Sequence, residues 1–501
     1  MEFIPSFLKS LIREIVTPVR DPFDRDARGL SPATATPIVD LKHGDTYKLQ
    51  AAPVAKQLGD NTVKMLAYNG SIPGPTLRVS QGAEAVVHFT NLTEVETTVH
   101  WHGLRLDHRF DGVPQGQHGG MQPPIPTGGS FTYRLRFPDP GLFWYHPHIR
   151  EDYTQEHGLY GNIVVVPAHP QYWTPVNREI TLVLDDILVE KDKVAPFSRS
   201  GPTHTEMGRF GNLMLVNGET EFNLYARQGE VVRFYLSNTA NVRNFNLRIP
   251  GAKMKLVGGD NGRVEREEFV EIVPIAPSER VVVDVLFEQA GQFPVEHRTP
   301  KKTYPLGTVA VQEEQAAPSF VAIFSSLRRS QELEGLRREI AGDFEREPDK
   351  TIALIGERPG TEHDGETMQV KGTESALHHR MSHSGNMHWK IVDRATGKAN
   401  HDIDWVFESG SRVKIRIENP SDSDLAMPHP MHFHGQRFVV LRRDGRINDN
   451  LVWKDSVLVQ TGEVVDILLD TSNPGTWMAH CHIAEHVEVG MMFNFLVKGE
   501  G

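Results

Sequence analysis

The sequence of 501 residues contains a single cysteine, Cys481. An intrachain disulfide is therefore impossible, and sites built from several cysteines, such as structural zinc or iron–sulfur centres, are excluded. Positive charge is also scarce, since the formal net charge is −12, which argues against a nucleic-acid partner. No apolar run approaches the length that crosses a bilayer, so we expect no transmembrane segment.

The N-terminal region lacks a clear signal peptide, because a basic start, a long apolar stretch and a small-residue cleavage site are all missing. Apolar residues recur near helical spacing from Ile4 to Ile15, and Pro18 would end the helix. We expect a short helix packed on the body of the protein, within an N-terminal extension of residues 1–37.

An internal repeat divides the rest of the chain into three parts. Segments 82–91, 229–238 and 410–419 each begin with glycine, alternate apolar residues and end with asparagine. A second strand-like run follows each of them, and then a glycine and an aromatic residue. A period of two is typical of half-buried strands, and short strands without intervening helices indicate β-sandwiches. We predict an all-β fold with three sandwich domains, at residues 38–168, 172–315 and 348–500.

The stretch between the second and third predicted domains has a different pattern. Residues 316–347 are charged, and Leu333, Leu336 and Ile340 recur at helical spacing. We predict a short helical linker here.

Ten of the 24 histidines fall into four clusters. The clusters are His100 and His102; His146 and His148; His429, His432 and His434; and His480, His482 and His486. Chance would give about one His-x-His pair at this histidine frequency. The chain has four, all in the first and third repeats and at matching places. We interpret these eight imidazoles as one metal site shared by the first and third domains.

Strand alternation suggests a second site. Residues two apart face the same side of a strand, so each His-x-His pair presents both imidazoles to one place. Eight imidazoles favour a redox-active cluster over a zinc ion, which needs only four ligands. Cys481 lies between His480 and His482 and therefore faces the opposite side.

His429 lies three positions before His432 and also faces away from its neighbouring pair. Two histidines, one cysteine and a weak axial methionine form the blue-copper pattern, here His429, Cys481, His486 and a methionine. Met491 is our axial candidate, and Met492 is the alternative. An electron at this copper would reach the cluster through Cys481 and its backbone neighbours His480 and His482, a path on the order of 10 Å.

The four motifs, in this order and spacing, resemble those of the three-domain multicopper oxidases, which include laccases, cuprous oxidases, ferroxidases and bilirubin oxidases. The resemblance covers nearly the whole chain from about residue 40. It implies three cupredoxin-like Greek-key domains and four copper ions, one of type 1, one of type 2 and two of type 3. It also implies one-electron oxidation of a reducing substrate, coupled to four-electron reduction of dioxygen to water.

The resemblance also implies a ligand set. His100 and His432 would bind the type 2 copper; His102, His146 and His482 one type 3 copper; His148, His434 and His480 the other; and His429, Cys481, His486 and Met491 the type 1 copper. The second domain would be copper-free, because its matching positions carry residues 245–247 and 294–296, which include no histidine.

Two acidic positions bear on proton delivery. Many relatives have an aspartate where this chain has Asp111, and we carry its role in proton delivery over; a plain turn residue before Gly112 is the alternative. Many relatives also have an acid directly after the last type 1 histidine, where this chain has Val487. Glu485 and Glu488 are close by, and we assign this role to neither.

The reducing substrate depends on the pocket over the exposed edge of His429 or His486. An apolar pocket would suit phenols and aromatic amines, whereas carboxylates or methionines would suit Fe(II) or Cu(I). Residues 378–388 contain four histidines and two methionines, and either bind labile copper or form a polar surface loop. Because no long methionine-rich insert is evident, we expect a laccase-like activity, with a Cu(I) or Fe(II) oxidase as the alternative.

Two other classes of function compete with this interpretation. A non-enzymatic cupredoxin scaffold is disfavoured because every copper-binding motif is present. A copper nitrite reductase has two domains and fewer histidines. We expect an exported protein, periplasmic or extracellular, and a monomer.

Overall fold

A computed structural model describes residues 25–116, 120–190, 193–197, 207–358 and 387–499. The elements are mainly β-strands in three successive two-layer sandwiches, which confirms the predicted all-β fold. The helix predicted near the N-terminus and most of the stretch 378–388 lie outside the described residues. Among the described helices, none is long and apolar enough to cross a membrane.

The first sandwich contains the first nine strands. They are β1 (Ile38–Leu41), β2 (Thr46–Leu58), β3 (Asn61–Tyr68), β4 (Gly74–Ser80), β5 (Glu84–Asn91), β6 (His100–His102), β7 (Ser130–Arg136), β8 (Gly141–His146) and β9 (Gly161–Val166). One sheet has the order β1-β4-β9-β8-β6 and the other β3-β2-β5-β7. Buried side chains such as Phe89, Trp101 and Tyr145 form the core of this sandwich.

The second sandwich contains the next thirteen strands. They are β10 (Arg178–Ile187), β11 (Val189–Glu190), β12 (Lys193–Val194), β13 (Leu213–Val216), β14 (Phe222–Gln228), β15 (Glu230–Asn238), β16 (Phe245–Arg248), β17 (Lys253–Gly259), β18 (Gly262–Val270), β19 (Val273–Ile275), β20 (Arg280–Phe287), β21 (Gly291–Arg298) and β22 (Thr303–Gln315). The main sheets have the orders β13-β10-β15-β20-β17-β18 and β14-β22-β21-β16-β19, and β11 pairs with β12.

The third sandwich contains the remaining strands. They are β23 (Lys350–Glu357), β24 (His388–Asp393), β25 (Trp405–Glu408), β26 (Ser411–Glu418), β27 (His429–Phe433), β28 (Arg437–Arg443), β29 (Arg446–Ile447), β30 (Ser456–Val459), β31 (Val464–Thr471), β32 (Gly475–Cys481) and β33 (Met492–Lys498). The sheets have the orders β24-β23-β26-β31-β28-β29 and β25-β33-β32-β27-β30.

The sequence repeat corresponds to one antiparallel strand pair in each sandwich: β5 with β7, β15 with β20, and β26 with β31. The side-chain amides of Asn91, Asn238 and Asn419 each donate to two backbone carbonyls at 2.7–3.0 Å. In the first and third sandwiches, one acceptor lies in the loop that leads into the next histidine-bearing strand, at Val95 and Met427. The repeated asparagine therefore fixes the approach to β6 and β27.

A glycine with left-handed φ begins the equivalent strand of each sandwich. Gly141, Gly291 and Gly475 have φ values of +146°, +144° and +146°. Other residues rarely adopt this conformation, so the position requires glycine. The first and third of these strands, β8 and β32, carry His146 and Cys481 at their far ends.

Four short α-helices connect the strands in the described part of the chain. They are α1 (Glu151–Thr154), α2 (Val321–Phe324), α3 (Gln331–Glu339) and α4 (Ala484–Glu488). The predicted linker therefore contains helices, α2 and α3. In α3, the hydroxyl of Ser330 accepts a hydrogen bond from the backbone N–H of Leu333 at 3.4 Å, and this caps the helix. Leu333 and Leu336 pack with Trp453 of the third sandwich.

Candidate metal centres

Two strand pairs bring the histidines together. His100 on β6 lies directly opposite His146 on β8, and His432 on β27 lies opposite His480 on β32. Directly paired residues on antiparallel strands point to the same face. Each sandwich therefore presents its imidazoles on one face, and all eight imidazoles of the four pairs are buried.

The two faces meet between the first and third sandwiches. The rings of His102 and His432 stack with their centroids 3.7 Å apart, and those of His100 and His434 are 4.0 Å apart. The ring of His482 lies 5.1 Å from that of His102. The structure thus brings the eight imidazoles singled out in the sequence into one cluster.

In four of the eight rings, a hydrogen bond to a backbone carbonyl holds the nitrogen that faces away from the cluster. Nδ1 donates to a backbone carbonyl from His100 (to Asp111, 2.7 Å), His146 (to Pro147, 2.8 Å), His432 (to Asp455, 2.8 Å) and His480 (to Cys481, 2.9 Å). A proton fixed on Nδ1 leaves the lone pair on Nε2. This neutral tautomer is the form of imidazole that binds a metal ion.

The inward nitrogens fit a metal cluster. Nε2 of His100, His146, His432 and His482 has no hydrogen-bond partner among the described residues. Nε2 of His434 and of His480 are 3.0 Å apart. Two lone pairs at this distance repel each other unless a cation lies between or beside them. Converging imidazole lone pairs in a buried site are the donor set that suits copper.

Burial keeps these imidazoles neutral. It lowers the pKa of His148 and His482 to about 3, and it holds the pKa of His434 well below its usual range. The ligand nitrogens of His148, His434 and His480 all lie within 4.8 Å of one another. The three rings can therefore bind one ion without first losing a proton at neutral pH.

Cys481 faces away from this cluster. Its Sγ lies 3.5 Å from Nδ1 of His429 and 3.5 Å from Nδ1 of His486. Burial raises the pKa of the Cys481 thiol and lowers the pKa of His429 to about 3. A thiolate at this position therefore needs a bound cation to stabilise it. Two imidazoles and one thiolate form the equatorial set of a blue-copper site.

The structure distinguishes the two candidate axial methionines. The backbone N–H of Cys481 donates to the carbonyl of Met491 at 3.2 Å, and that of Met491 donates to the carbonyl of His486 at 2.9 Å. The side chain of Met491 packs in the apolar core that contains Cys481. Met492 is paired with His480, and its side chain packs in a separate apolar cluster. Met491 thus lies on the cysteine side of the strand.

The two histidines beside Cys481 have different surroundings. The indole of Trp389 stacks on the ring of His486 with centroids 4.1 Å apart and covers one of its faces. His429 is flanked by Pro428 and Pro430, which line a cavity of about 170 Å³. Both chain neighbours of His429 therefore line a space that a small molecule can occupy.

Apolar side chains dominate the lining of this cavity. They include Met207, Phe210, Val242, Met427 and Leu458, and Asn244 adds an amide. No charged side chain is among the lining residues that the structure describes.

Asp111 contacts the histidine cluster. Its Oδ2 accepts a hydrogen bond from Nδ1 of His434 at 2.8 Å, and its Oδ1 lies 3.2 Å from Nδ1 of His100. The carboxylate is buried and spans the boundary between the first and third sandwiches. This position is compatible with proton delivery and is not that of a surface turn residue.

The region around Val487, the position where the sequence lacks a second acid, is also buried. Val487 packs among apolar side chains. Oε2 of Glu485 accepts a hydrogen bond from the amide of Asn241 in the second sandwich at 2.6 Å. Burial raises the pKa of both Glu485 and Glu488 to about 8, and nearby carboxylates of α1 contribute for Glu488. Both glutamates are therefore mainly protonated at neutral pH.

Two acidic residues that sequence analysis did not identify contact the imidazoles. Oδ1 of Asp455 lies 3.0 Å from Nε2 of His102, and Oε1 of Glu151 lies 2.9 Å from Nδ1 of His148. Glu151 follows His148 by only three residues, so the two are close along the chain. Asp455 is 353 positions away from His102, and no local pattern connects the two.

The second sandwich provides an internal comparison. At the places of the histidine pairs it has Phe245 and Leu247 on β16, which are buried in its apolar core. His297 on β21 is buried, accepts a hydrogen bond from the backbone N–H of Asn246 at 3.0 Å and stacks on Tyr304. These contacts are structural, and none of the aromatic contacts described for His297 is with another histidine.

Comparisons with known proteins agree with this architecture. Three family models, each described as multicopper oxidase, match residues 51–170, 179–316 and 372–501. Multicopper oxidase MmcO of Mycobacterium tuberculosis is 28% identical in an alignment of 483 positions, gaps included, which covers 89% of this chain and 86% of that protein. Laccase-1 of Melanocarpus albomyces is 25% identical in an alignment of 517 positions, gaps included, which covers 90% of this chain and 78% of that protein.

A solved structure has the same fold over most of the chain. The multicopper oxidase of Pseudomonas thermotolerans superposes with a TM-score of 0.68 at 25% identity, and the match covers 92% of this chain and 100% of that one. With the family matches to all three sandwiches, this similarity shows that the chain belongs to the multicopper oxidases, copper-dependent oxidoreductases that pass electrons from a reducing substrate to dioxygen.

Proposed function

We propose that this protein is a laccase-like enzyme that oxidises phenols or aromatic amines in one-electron steps. Four electrons and four protons then convert one dioxygen to two water molecules. The observation that carries the proposal is the arrangement around one strand end: Cys481 faces His429 and His486, whereas His480 and His482 face six other imidazoles. The site at Cys481 is suited to accept single electrons, and the imidazole cluster is suited to the four-electron reduction of dioxygen.

The residues would hold four copper ions in the following way. The type 1 ligands are His429, Cys481, His486 and Met491; the type 2 ligands are His100 and His432; and the type 3 ligands are His102, His146 and His482 for one ion and His148, His434 and His480 for the other. The ligand nitrogens of the last three lie within 4.8 Å of one another, as do those of other sets such as His100, His102 and His146, so the distances are compatible with this grouping. Met491 lies in the same apolar core as Cys481, whereas Met492 lies in a separate cluster, and this supports the choice of Met491.

Copper, when bound, supplies one-electron redox chemistry at the cysteine site and electrons for dioxygen at the imidazole cluster. The chain contributes the connection: peptide bonds join Cys481 to His480 and His482, a path on the order of 10 Å. Hydrogen bonds from Nδ1 of His100, His146, His432 and His480 keep the inward nitrogens unprotonated. We propose that Asp111, which contacts His434 and His100, delivers protons to the oxygen-reducing site.

The cavity beside His429 favours an organic substrate. Small-molecule sites are mostly apolar with few polar groups, and this lining has Phe210, Val242 and Leu458 with the amide of Asn244. Fe(II) prefers oxygen ligands, and the described lining contains no carboxylate. We propose that electrons enter through the edge of His429.

A Cu(I) oxidase is the second candidate, and a specific observation favours it. The thioethers of Met207 and Met427 both line the same cavity. Thioether sulfur is a soft ligand that selects Cu(I).

Oxygen uptake by the copper-loaded protein separates these substrates. We expect consumption of dioxygen with 2,6-dimethoxyphenol, at a higher rate than with Fe(II). If Cu(I) is the physiological substrate, Met427→Leu and Met207→Leu will slow Cu(I) oxidation and leave phenol oxidation unchanged. Met254→Leu is the matched control, because Met254 is equally buried but lies in the core of the second sandwich.

The same preparation tests the proposal as a whole. A blue copper-loaded protein that consumes no dioxygen with a phenol would contradict the laccase-like activity. A protein that gains no blue colour with copper would contradict the type 1 assignment and favour a scaffold role.

We further propose that the protein acts outside the cytoplasm, in a periplasmic or extracellular compartment. Cytosolic thiols are kept reduced, and such soft ligands compete for Cu(I). Cell fractionation with activity staining tests this location, and activity confined to the cytosolic fraction would contradict it.

A further inference from the structure

A buried ion pair connects the second sandwich to the histidine cluster. Arg280, the first residue of β20, donates from Nη1 to Oδ1 of Asp455 at 2.6 Å and from Nη2 to Oδ2 of the same carboxylate. Its Nε donates to the backbone carbonyl of Leu142 in the first sandwich at 2.9 Å. Both side chains are 0% exposed. One guanidinium therefore contacts all three sandwiches.

Asp455 connects this ion pair to two imidazoles. Its Oδ1 accepts a hydrogen bond from Nε2 of His102 at 3.0 Å, and its backbone carbonyl accepts one from Nδ1 of His432 at 2.8 Å. The hydroxyl of Ser456 lies 3.1 Å from the same Nε2 and donates to Oδ1 of Asp455 at 3.0 Å. The carboxylate therefore fixes which nitrogen of His102 carries the proton.

His102 differs from most of its neighbours in the nitrogen that it turns inward. Its Nε2 is engaged by Asp455, and its Nδ1 has no hydrogen-bond partner among the described residues. His100, His146 and His432 have the opposite arrangement, with Nδ1 engaged and Nε2 without a partner. Rotation of the His102 ring would turn Nδ1 away from the cluster. The orientation of the ring therefore depends on the contact between Nε2 and Asp455.

Gly103 leaves the space in which the ion pair lies. Its φ is +83°, and a Cβ at this position would lie 2.4 Å from Oδ2 of Asp455 and 2.8 Å from Nη2 of Arg280. Position 103 thus requires glycine for two reasons: its positive φ, and the lack of room for a side chain beside the buried pair. The Arg280–Asp455 pair can therefore lie against the backbone beside His102 only because residue 103 has no side chain.

We propose that Arg280 is a positioning residue for the three copper ions, of type 2 and type 3, that the imidazole cluster would hold. By holding both oxygens of Asp455, Arg280 fixes the tautomer and orientation of His102. This inference rests on the proposed function, because it requires copper at the imidazoles. The second sandwich, whose matching strands have no histidine pairs, then contributes to the copper site itself. Groups that hold the outer nitrogen of a metal-bound histidine typically change metal affinity by about 10–100-fold.

The test compares Arg280→Met with a matched control, Arg233→Met. Arg233 lies in the same sandwich and makes a buried two-point contact with Asp284 at 2.8 and 2.9 Å. Its other partners are Glu179 and the backbone of Thr174, so the control breaks an equivalent ion pair that does not contact an imidazole. Arg280→Lys is the conservative variant, because lysine keeps the charge but lacks the fork that binds both carboxylate oxygens.

Each full-length variant is loaded with copper, and three quantities are measured: total copper per chain, blue absorbance per chain, and the loss of copper to a chelator over time. For Arg280→Met we expect unchanged blue absorbance and cluster copper that is bound about 10–100-fold more weakly. Arg280→Lys should lie between this variant and the wild type. Arg233→Met should lower the melting temperature without changing the ratio of cluster copper to blue copper.

A second measurement separates positioning from general stability. Anaerobic substrate should bleach the blue colour of Arg280→Met at the wild-type rate, while return of the colour with dioxygen slows. If Arg280→Met does not fold, the chelator and reoxidation measurements on Arg280→Lys decide the question.

The proposal is overturned if Arg280→Met, or Arg280→Lys in its place, retains cluster copper like the wild type. Equal loss of cluster copper in Arg233→Met overturns it as well, because the effect would then be one of overall stability. A wild-type chain that binds copper only at Cys481 would contradict the proposed function first, and this inference with it.

Discussion

Oδ2 of Asp111 lies 2.8 Å from Nδ1 of His434, across the boundary between the first and third sandwiches. The same residue accepts a hydrogen bond from Nδ1 of His100 at its backbone carbonyl. One residue thus orients imidazoles from both sides of the cluster and also places a carboxyl group beside it.

Asp111→Asn should slow oxygen reduction by about 100-fold, in line with the usual contribution of a positioned proton donor or acceptor. Copper content should be unchanged, because an asparagine oxygen can still accept the hydrogen bond from His434. The measurement is turnover at saturating phenol, together with metal analysis.

Asp139→Asn is the control for this variant. Asp139 is also buried at the boundary of the first and third sandwiches, where it contacts Arg105 and Arg437, and neither is a histidine. Equal losses of turnover in the two variants would contradict a specific role of Asp111.

Met491→Leu should change the type 1 copper, whereas Met492→Leu should not. Met491 lies in the same apolar core as Cys481, and an axial thioether tunes the reduction potential of a blue-copper site. Loss of this donor should raise the potential, because the oxidised ion loses a ligand. Redox titration of the blue absorbance measures the effect, and a potential that shifts only in Met492→Leu would reverse the assignment.

Asp185 on β10 should make the stability of the protein depend on pH. Burial raises the pKa of its carboxyl from 3.8 to about 8. Between these values the folded chain binds more protons than the unfolded chain, so the free energy of unfolding falls as pH rises. Each unit of pKa shift corresponds to about 1.4 kcal/mol.

Asp185→Asn should therefore be more stable than the wild type near pH 8 and similar to it near pH 4. Denaturant unfolding across this range measures the difference, with Asp60→Asn at an exposed turn as the control. A constant difference at all pH values would show that the carboxyl does not titrate as described.

Local sequence patterns were sufficient to predict much of this structure. The threefold repeat indicated strands β5 and β7, β15 and β20, and β26 and β31, because a period of two is a local property of a half-buried strand, and the structure shows that they pair. Alternation likewise predicted that Cys481 and its two histidine neighbours would face opposite sides. Both arguments need only the geometry of one strand.

Other parts of the site depend on contacts between distant segments. The link from Arg280 to Asp455 joins residues 175 positions apart, and that from Asn241 to Glu485 joins residues 244 positions apart. Trp389, which stacks on His486 of α4, comes from β24. Neither spacing nor composition indicates such partners, because they are set by how the sandwiches pack. The choice between Met491 and Met492 also required the strand register.

The most direct test of the account is the copper content and colour of Cys481→Ser. We predict that the variant folds, keeps the copper bound by the eight imidazoles, and loses both the intense blue absorption and the oxidation of phenols. Retention of the blue absorption, or oxidation at the native rate, would contradict the claim that electrons reach the cluster through this one thiolate.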